Sequence, residues 1–265
     1  MRIGIVAGEA SGDILGAALM AAILRRYPDC VFEGVGGPRM QAAGCNSFFP
    51  MDRLAVMGLV EPLKRLPELL RIRKFLKQHF QRKPPDLFIG IDSPDFNLNI
   101  ERHLRKCGIK TAHYVSPSVW AWRQKRIFKI RNSVDLMLAL FPFEAAFYQQ
   151  HNVPVEFVGH PLAAQIPLTN DPIEARKQLG LDLSHQIVAL LPGSRATEVS
   201  LMGPVVIDTA IWCLRHDPAI EFVMPALNSE RYQQLSQMLA APRIEYEHET
   251  GRPLPITLLT GHSQT

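Results

Sequence analysis

The sequence predicts an α/β protein of the doubly wound kind, built as two successive units. Three observations carry this. Short apolar segments alternate with longer segments of helical apolar spacing. The short segments have few polar interruptions, as strands buried on both faces of a parallel sheet require. Several of them run into glycine-bearing or polar loops that open a helix, the repeating order of βαβ units.

In chain order, Arg2–Ala7 reads as a buried strand and Ile14–Tyr27 as a helix, followed by a strand at Val31–Val35. Leu54–Phe80 is amphipathic, with Val56, Met57, Leu59, Val60, Leu63, Leu66, Leu69, Leu70 and Ile72 interleaved with Lys64, Arg65, Arg71, Arg73 and Lys74. Pro62 and Pro67 argue against one smooth helix there. Strands follow at Asp86–Asp92, Lys110–Val115, Asp135–Phe141 and Val155–Val158. The turn-rich Leu168–Pro172 then reads as a linker. The second unit has helices at Ile173–Leu179, Glu198–Arg215 and Ser229–Leu239, and strands at Gln186–Leu191, Ala219–Met224 and Ile256–Leu259. A doubly wound domain has about five or six strands, so three strands predict an incomplete second unit.

Composition excludes several classes. Hydrophobic residues are 47% and charged residues 20%, an ordinary globular balance. No run of apolar residues reaches the length of a membrane span, and the start of the chain reads as a strand entering a turn, not as a secretory signal. Cys30, Cys45, Cys107 and Cys213 lie far apart with no C-x-x-C pair, so they read as reduced thiols and not as a metal site or a disulfide framework. A cytoplasmic protein is expected. The net charge of +4 permits anionic partners without demanding nucleic acid.

In such folds ligands bind beyond the carboxyl ends of the strands, which singles out four loops. Gly8-Glu9-Ala10-Ser11-Gly12-Asp13 opens the first helix; Gly8, Ser11 and Gly12 suit close backbone approach to an anion, against the alternative of a tight turn capped by Ser11 or Asp13. It is neither a dinucleotide fingerprint nor a phosphate-binding P-loop. In Asp92-Ser93-Pro94-Asp95-Phe96-Asn97, Asp92 ends an apolar strand, where partial burial suits a general base; Asp95 or Asn97 reads as a helix cap. Ser116–Trp122 runs into Arg123, Lys125, Arg126, Lys129 and Arg131; Trp120 and Trp122 beside these cations suit a sugar or a phosphate, against a solvated basic helix with one Trp in the core. In Leu191–Glu198, Gly193 and Ser194 offer backbone N–H groups and Arg195 a fork for a diphosphate, against an N-cap at Ser194 or Thr197. The amphipathic stretch suits an anionic membrane surface, against an apolar stripe buried on the sheet.

Taken together, GEASGD at 8–13, GIDSPDFN at 90–97, HYVSPSVWAWRQKR at 113–126, FVGHP at 157–161 and LPGSRATEV at 191–199 resemble the lipid-A-disaccharide synthase family, in order and along essentially the whole chain. The resemblance implies a GT-B glycosyltransferase with two Rossmann-like domains: an acceptor-binding domain over 1–165 and a partial UDP-sugar-binding domain over 166–265. It implies inverting transfer from UDP-2,3-diacylglucosamine to 2,3-diacylglucosamine 1-phosphate (lipid X), giving a β-1,6 disaccharide and UDP in the lipid A synthesis of Gram-negative bacteria. No cofactor and no metal are implied. Asp92 becomes the catalytic base. Gly193, Ser194, Arg195 and Glu198 become the donor-diphosphate site. Gly8, Ser11, Gly12, Ser116, Trp120, Arg123, Lys125 and Arg126 become acceptor or phosphate contacts, and Val60, Leu63, Leu66, Leu69 and Leu70 a face toward the anionic inner membrane. A homodimer is a further expectation; nucleic acid is not. The family's Ser-Gly-Thr-rich segment and its acidic residue, which help hold UDP, would come after Ile256–Gly261, so the chain alone is expected to be a poor transferase. The rival readings are a non-catalytic lipid- or sugar-phosphate-binding protein and a UDP-sugar epimerase of the same fold.

Overall fold

The computed structural model describes residues 1–54, 60–164, 166 and 168–260, without the side chains of 60–64 and 164. The chain divides into two compact units, Met1–Gln165 and Ile166–Thr265.

In the first unit, β1 (Arg2–Ala7), β2 (Val31–Val35), β3 (Cys45–Ser47), β4 (Leu87–Ile91), β5 (Thr111–Tyr114), β6 (Leu136–Ala139) and β7 (Val155–Phe157) form one parallel sheet in the order β3-β2-β1-β4-β5-β6-β7. Five of the six residues of β1 are buried without alternation, which is why its sequence reads as one apolar run. Its helices are α1 (Ala10–Arg26), α2 (Pro38–Ala42), α3 (Val60–Arg82), α4 (Pro94–Lys106), α5 (Ile127–Arg131) and α6 (Pro142–Gln150). The strand order reverses between β1 and β4, which pair in register from Ile3↔Leu87 to Ala7↔Ile91.

The sequence pattern did not show β3 or α2. At three and five residues, they are too short for a periodicity to register. Nor does Pro67 break α3, which runs as one helix. Leu69, Ile72, Leu76 and Phe80 form a stripe at helical spacing in the core, and their burial outweighs the lost backbone hydrogen bond. This corrects the membrane-facing set: Leu69 is only 7% exposed, whereas Leu66 and Leu70, on the outer side, are 43% and 49% exposed. Val56, Met57 and Leu59, and the side chains of Val60 and Leu63, lie outside the described residues.

The second unit contains α7 (Pro172–Leu179), β8 (Gln186–Ala189), α8 (Ala196–His216), β9 (Ile220–Ala226), α9 (Ser229–Thr250) and β10 (Ile256–Thr260). Its parallel sheet has the order β10-β9-β8. The helix α9 runs past the expected end at Leu239 and through Pro242, because Tyr246 continues the buried face begun by Leu235 and Leu239. Among the described residues, α8 alone is long and apolar enough to cross a membrane, with a mean hydropathy of 1.3. Val199, Ile207, Ala210 and Leu214 nevertheless pack into this unit's own core with Phe222, Met224 and Leu235, so α8 reads as the covering helix of an α/β layer.

The division of α3 into a core stripe and an outer face makes a prediction. Leu69→Ser should destabilise the protein by roughly 2–5 kcal/mol. Leu66→Ser and Leu70→Ser should stay within about 0.5 kcal/mol of the parent. Denaturant unfolding of the three variants measures both.

Candidate functional site

The loops after β1, β4, β5 and β6 leave one edge of the first sheet, since all strands are parallel and end on the same side. The loops after β1 and β4 flank the reversal of strand order, the place where open α/β sheets leave a crevice.

Asp92 and Ser93 stand at the end of β4 in left-handed backbone conformation, with φ of 51° and 44°. Two consecutive non-glycine residues there cost about 1–3 kcal/mol each and persist only when their surroundings hold them. Several groups do so. The Asp92 N–H donates to the Tyr114 carbonyl at 2.9 Å. The fully buried Asn97 amide donates to the Asp92 carbonyl at 2.9 Å, to Ile91 O at 3.2 Å and to Val6 O at 3.3 Å. Gly8 packs against Ser93 so closely that a Cβ on Gly8 would lie 2.4 Å from the serine Oγ. The Asp92 side chain itself is half-buried.

Neither residue expected to cap α4 does so. Asn97 is spent on the carbonyls of β1 and β4, and Asp95 is exposed and paired with Arg126 at 2.5 Å. The Asp95–Arg126 pair ties the loop after β4 to the basic segment after β5. The first loop departs in the same way. Ser11 is exposed, Gly12 packs on Ala7 and Ile91, and Glu9 takes the N-cap position of α1 without a side-chain cap bond. Asp13 is buried and turned away: its carboxylate accepts the N–H groups of Arg39 at 3.0 Å and Met40 at 2.9 Å, so it caps α2.

The tryptophan-rich segment has neither Trp in the core. Trp120 and Trp122 are 40% and 58% exposed. Trp120 meets Phe143 edge-on at 4.9 Å, Phe143 stacks on Phe141 at 5.6 Å, and Arg123 lies 4.5 Å over Trp122. The basic run is also not a long helix: Gln124–Arg126 is one tight turn before the five-residue α5. Lys125 is exposed beside it. Sequence reasoning missed what supports this segment. Ser116 Oγ lies 3.0 Å from the Tyr148 hydroxyl, and buried Glu144 accepts the Phe141 N–H at 3.1 Å. Burial pushes the Glu144 carboxyl above its usual range despite hydrogen bonds from Phe141 and Ser116, and pushes the Tyr148 hydroxyl up to about 12. Below sits a second unforeseen pair, Glu101 and His113, both wholly buried with Nδ1 and Oε1 2.7 Å apart. No local motif marks these residues; their meeting depends on helix–sheet packing.

In the second unit, the loop after β8 turns at Gly193 with φ of 119°, where a Cβ would lie 2.7 Å from that of Glu198. Neither Ser194 nor Thr197 is the N-cap; that position is Arg195. Glu198 reaches back, one oxygen accepting the N–H groups of Ser194 and Arg195 at 3.2 Å each and the other the Arg195 guanidinium at 2.6 Å. The hydrogen bond from Arg195, helped by those backbone amides, holds the Glu198 carboxyl below its usual range. The loop is an anion cradle in which the chain's own carboxylate is seated.

Comparison with known proteins gives a consistent result. The family model for lipid-A-disaccharide synthetase matches residues 3–252. The chain is 59% identical over 264 residues to a lipid-A-disaccharide synthase of Cellvibrio japonicus, covering all of this chain and 66% of that protein. It is 57% identical to the one of Hahella chejuensis, of which it covers 65%. The chain thus spans about two thirds of the length of these curated relatives. In fold it is similar to a UDP-GlcNAc 2-epimerase from Neisseria meningitidis solved bound to UDP-GlcNAc, with a TM-score of 0.59 at 9% identity, covering 99% of this chain and 73% of that one.

The support under Asp92 is testable without any substrate. Asn97→Ala strips donors from three main-chain carbonyls and should cost roughly 1–3 kcal/mol. Ser93→Gly, which relieves one left-handed residue, should be neutral or stabilising. The reverse order of stabilities in thermal unfolding would contradict this account of the turn.

Proposed function

The chain belongs to the lipid-A-disaccharide synthetase family, and from that premise we propose that it serves the transfer of a 2,3-diacylglucosamine unit from its UDP carrier to the 6-hydroxyl of 2,3-diacylglucosamine 1-phosphate, with UDP released. The reaction needs a base for the attacking hydroxyl and stabilisation of a leaving diphosphate.

Asp92 is the base in this reading. The observation that carries it is its position: a half-buried carboxylate at the end of β4, beside the reversal of strand order, in a backbone conformation held by Asn97 and Tyr114. Gly8, Ser11 and Gly12 border the same crevice from the β1 side. Trp120, Arg123, Lys125 and Arg126 are read as the acceptor's contacts, with an indole face for a sugar and cations for the 1-phosphate, while buried Ser116, bonded to Tyr148, supports them from beneath. In the second unit, Gly193, Ser194 and Arg195 are read as the diphosphate cradle, with Glu198 as the group that shapes it.

Both substrates are lipids, and the exposed Leu66 and Leu70 on α3 support peripheral attachment to an anionic inner-membrane surface from the cytoplasmic side. No cofactor or metal enters the proposed reaction.

The test is a transfer assay with both lipid substrates, its products resolved by mass spectrometry. A disaccharide 1-phosphate supports the reading, an epimerised UDP-sugar favours an epimerase, and binding without product favours a lipid- or sugar-phosphate-binding role. Where transfer is seen, Asp92→Asn should lower its rate by about 10²-fold or more while leaving stability unchanged. Arg195→Lys keeps the charge but loses the planar fork, so calorimetry should find weaker UDP binding.

A further inference from the structure

The outer side of α3 changes character along its length. Leu66 and Leu70 are exposed aliphatics. One turn further on, between α3 and α4, lies an open groove of about 540 Å³ lined by Leu70, Arg73, Lys74, Lys77 and, from α4, His103, with amide side chains completing the wall. That lining carries four basic side chains and no carboxylate.

Three of the groove's four basic side chains are held in place. Arg73 lies 5.3 Å over the Phe96 ring, and its buried Nε has no partner among the described residues. Lys77 donates to Asn99 Oδ1 at 2.5 Å, and His103 Nε2 lies 3.3 Å from Gln81 Oε1. Asp95, the carboxylate that acts on Arg73, is engaged by Arg126. Burial lowers the proton affinity of Lys77, with the Arg73 charge adding to it. Burial, then the charges of Lys77 and Lys106, does the same to His103. Like charges thus press on one another in a partly desolvated groove, the situation that a bound anion relieves.

We propose that this groove binds the phosphate of an anionic membrane lipid, whose acyl chains lie along Leu66 and Leu70. The site is separate from the loops at the carboxyl ends of the strands, and it deepens the membrane reading of α3, on which it rests. The aliphatic end supplies insertion. The cationic end supplies selection for phosphate-bearing headgroups that carry no compensating positive charge.

Sedimentation of the full chain with vesicles tests it, using phosphatidylcholine alone and phosphatidylcholine with phosphatidylglycerol at about 3:1. The parent protein should prefer the mixed vesicles. Lys74→Gln combined with Lys77→Gln should weaken binding to them by about tenfold or more, with no effect on phosphatidylcholine. Lys74→Arg with Lys77→Arg should restore the preference, which separates lost charge from lost folding. Leu66→Ser with Leu70→Ser should weaken binding to both vesicle types. A double glutamine variant that still prefers the mixed vesicles overturns the groove while leaving the membrane reading intact. A parent that binds neither vesicle overturns the membrane reading and the groove with it. As a second measurement, the His103 ring signals should titrate at higher pH with short-chain phosphatidylglycerol. The same shift with inorganic phosphate and none with the lipid would make the groove a free-phosphate site and overturn the lipid assignment.

Discussion

The first unit depends on one buried amide. Asn97 gives its side-chain N–H groups to carbonyls at the ends of β1 and β4, the two strands between which the order of the sheet reverses. At a strand end the last carbonyls have lost their ladder partners, and burying them unpaired would cost about 1–3 kcal/mol each. The amide removes that cost and holds two left-handed residues, Asp92 and Ser93, in a shape a flexible turn would leave. The same helix face, one turn on, carries Glu101 to buried His113. A single stripe of α4 therefore aligns the ends of β1, β4 and β5, and the position of Asp92 is a consequence of packing rather than of the loop's own preference.

Where strands and helices were long and periodic, they could be read directly. The runs at Arg2–Ala7 and Leu87–Ile91 are apolar because both faces of the sheet are covered. The two α/β units were likewise legible from the alternation, and so were the loops that border the strand ends. Capping was not. Asp13, Asp95 and Asn97 each stand where a local rule makes them caps of the helix they begin, and each is used elsewhere: on α2, on Arg126 and on the ends of β1 and β4. Local sequence gives a polar side chain's reach but not its best partner, and a partner 26 to 91 residues away wins, for Asp13 and Asn97 because burial makes the bond dry and for exposed Asp95 because the partner is an opposite charge. Prolines misled in the opposite sense. Pro67 and Pro242 sit inside continuous helices because the apolar stripes beside them, Leu69 to Phe80 in α3 and Leu235 to Tyr246 in α9, bury more than one missing hydrogen bond loses.

The Trp-rich segment shows how an exposed aromatic surface is made to stay exposed. Single surface indoles need no explanation, but Trp120, Phe141 and Phe143 form a connected patch at the ends of β5 and β6, with exposed Trp122 two residues from Trp120. Ser116, Glu144 and Tyr148 hold its base from beneath. The polar network is buried and the apolar rings face outward, the inverse of ordinary burial. A patch of this kind, held from beneath by buried polar groups, is a surface on which the proposed acceptor could rest.

The helix N-termini divide along the same logic. Four of them are served by the chain's own acids: α2 by Asp13, α6 by Glu144, α7 by Asp171 and α8 by Glu198. The helices α1 and α4, which follow the two strands of the reversal, begin without a side-chain cap. An anionic group arriving at α1 or α4 adds charge to a positive helix end. At α8 it must instead replace a carboxylate already bonded to Ser194, Arg195 and the Arg195 guanidinium. Binding there is an exchange of one anion for another. In the proposed reading of this loop as a diphosphate site, the Glu198 carboxylate competes with the ligand for the same amides. In that proposed reading, such competition favours release of the leaving group over its tight retention.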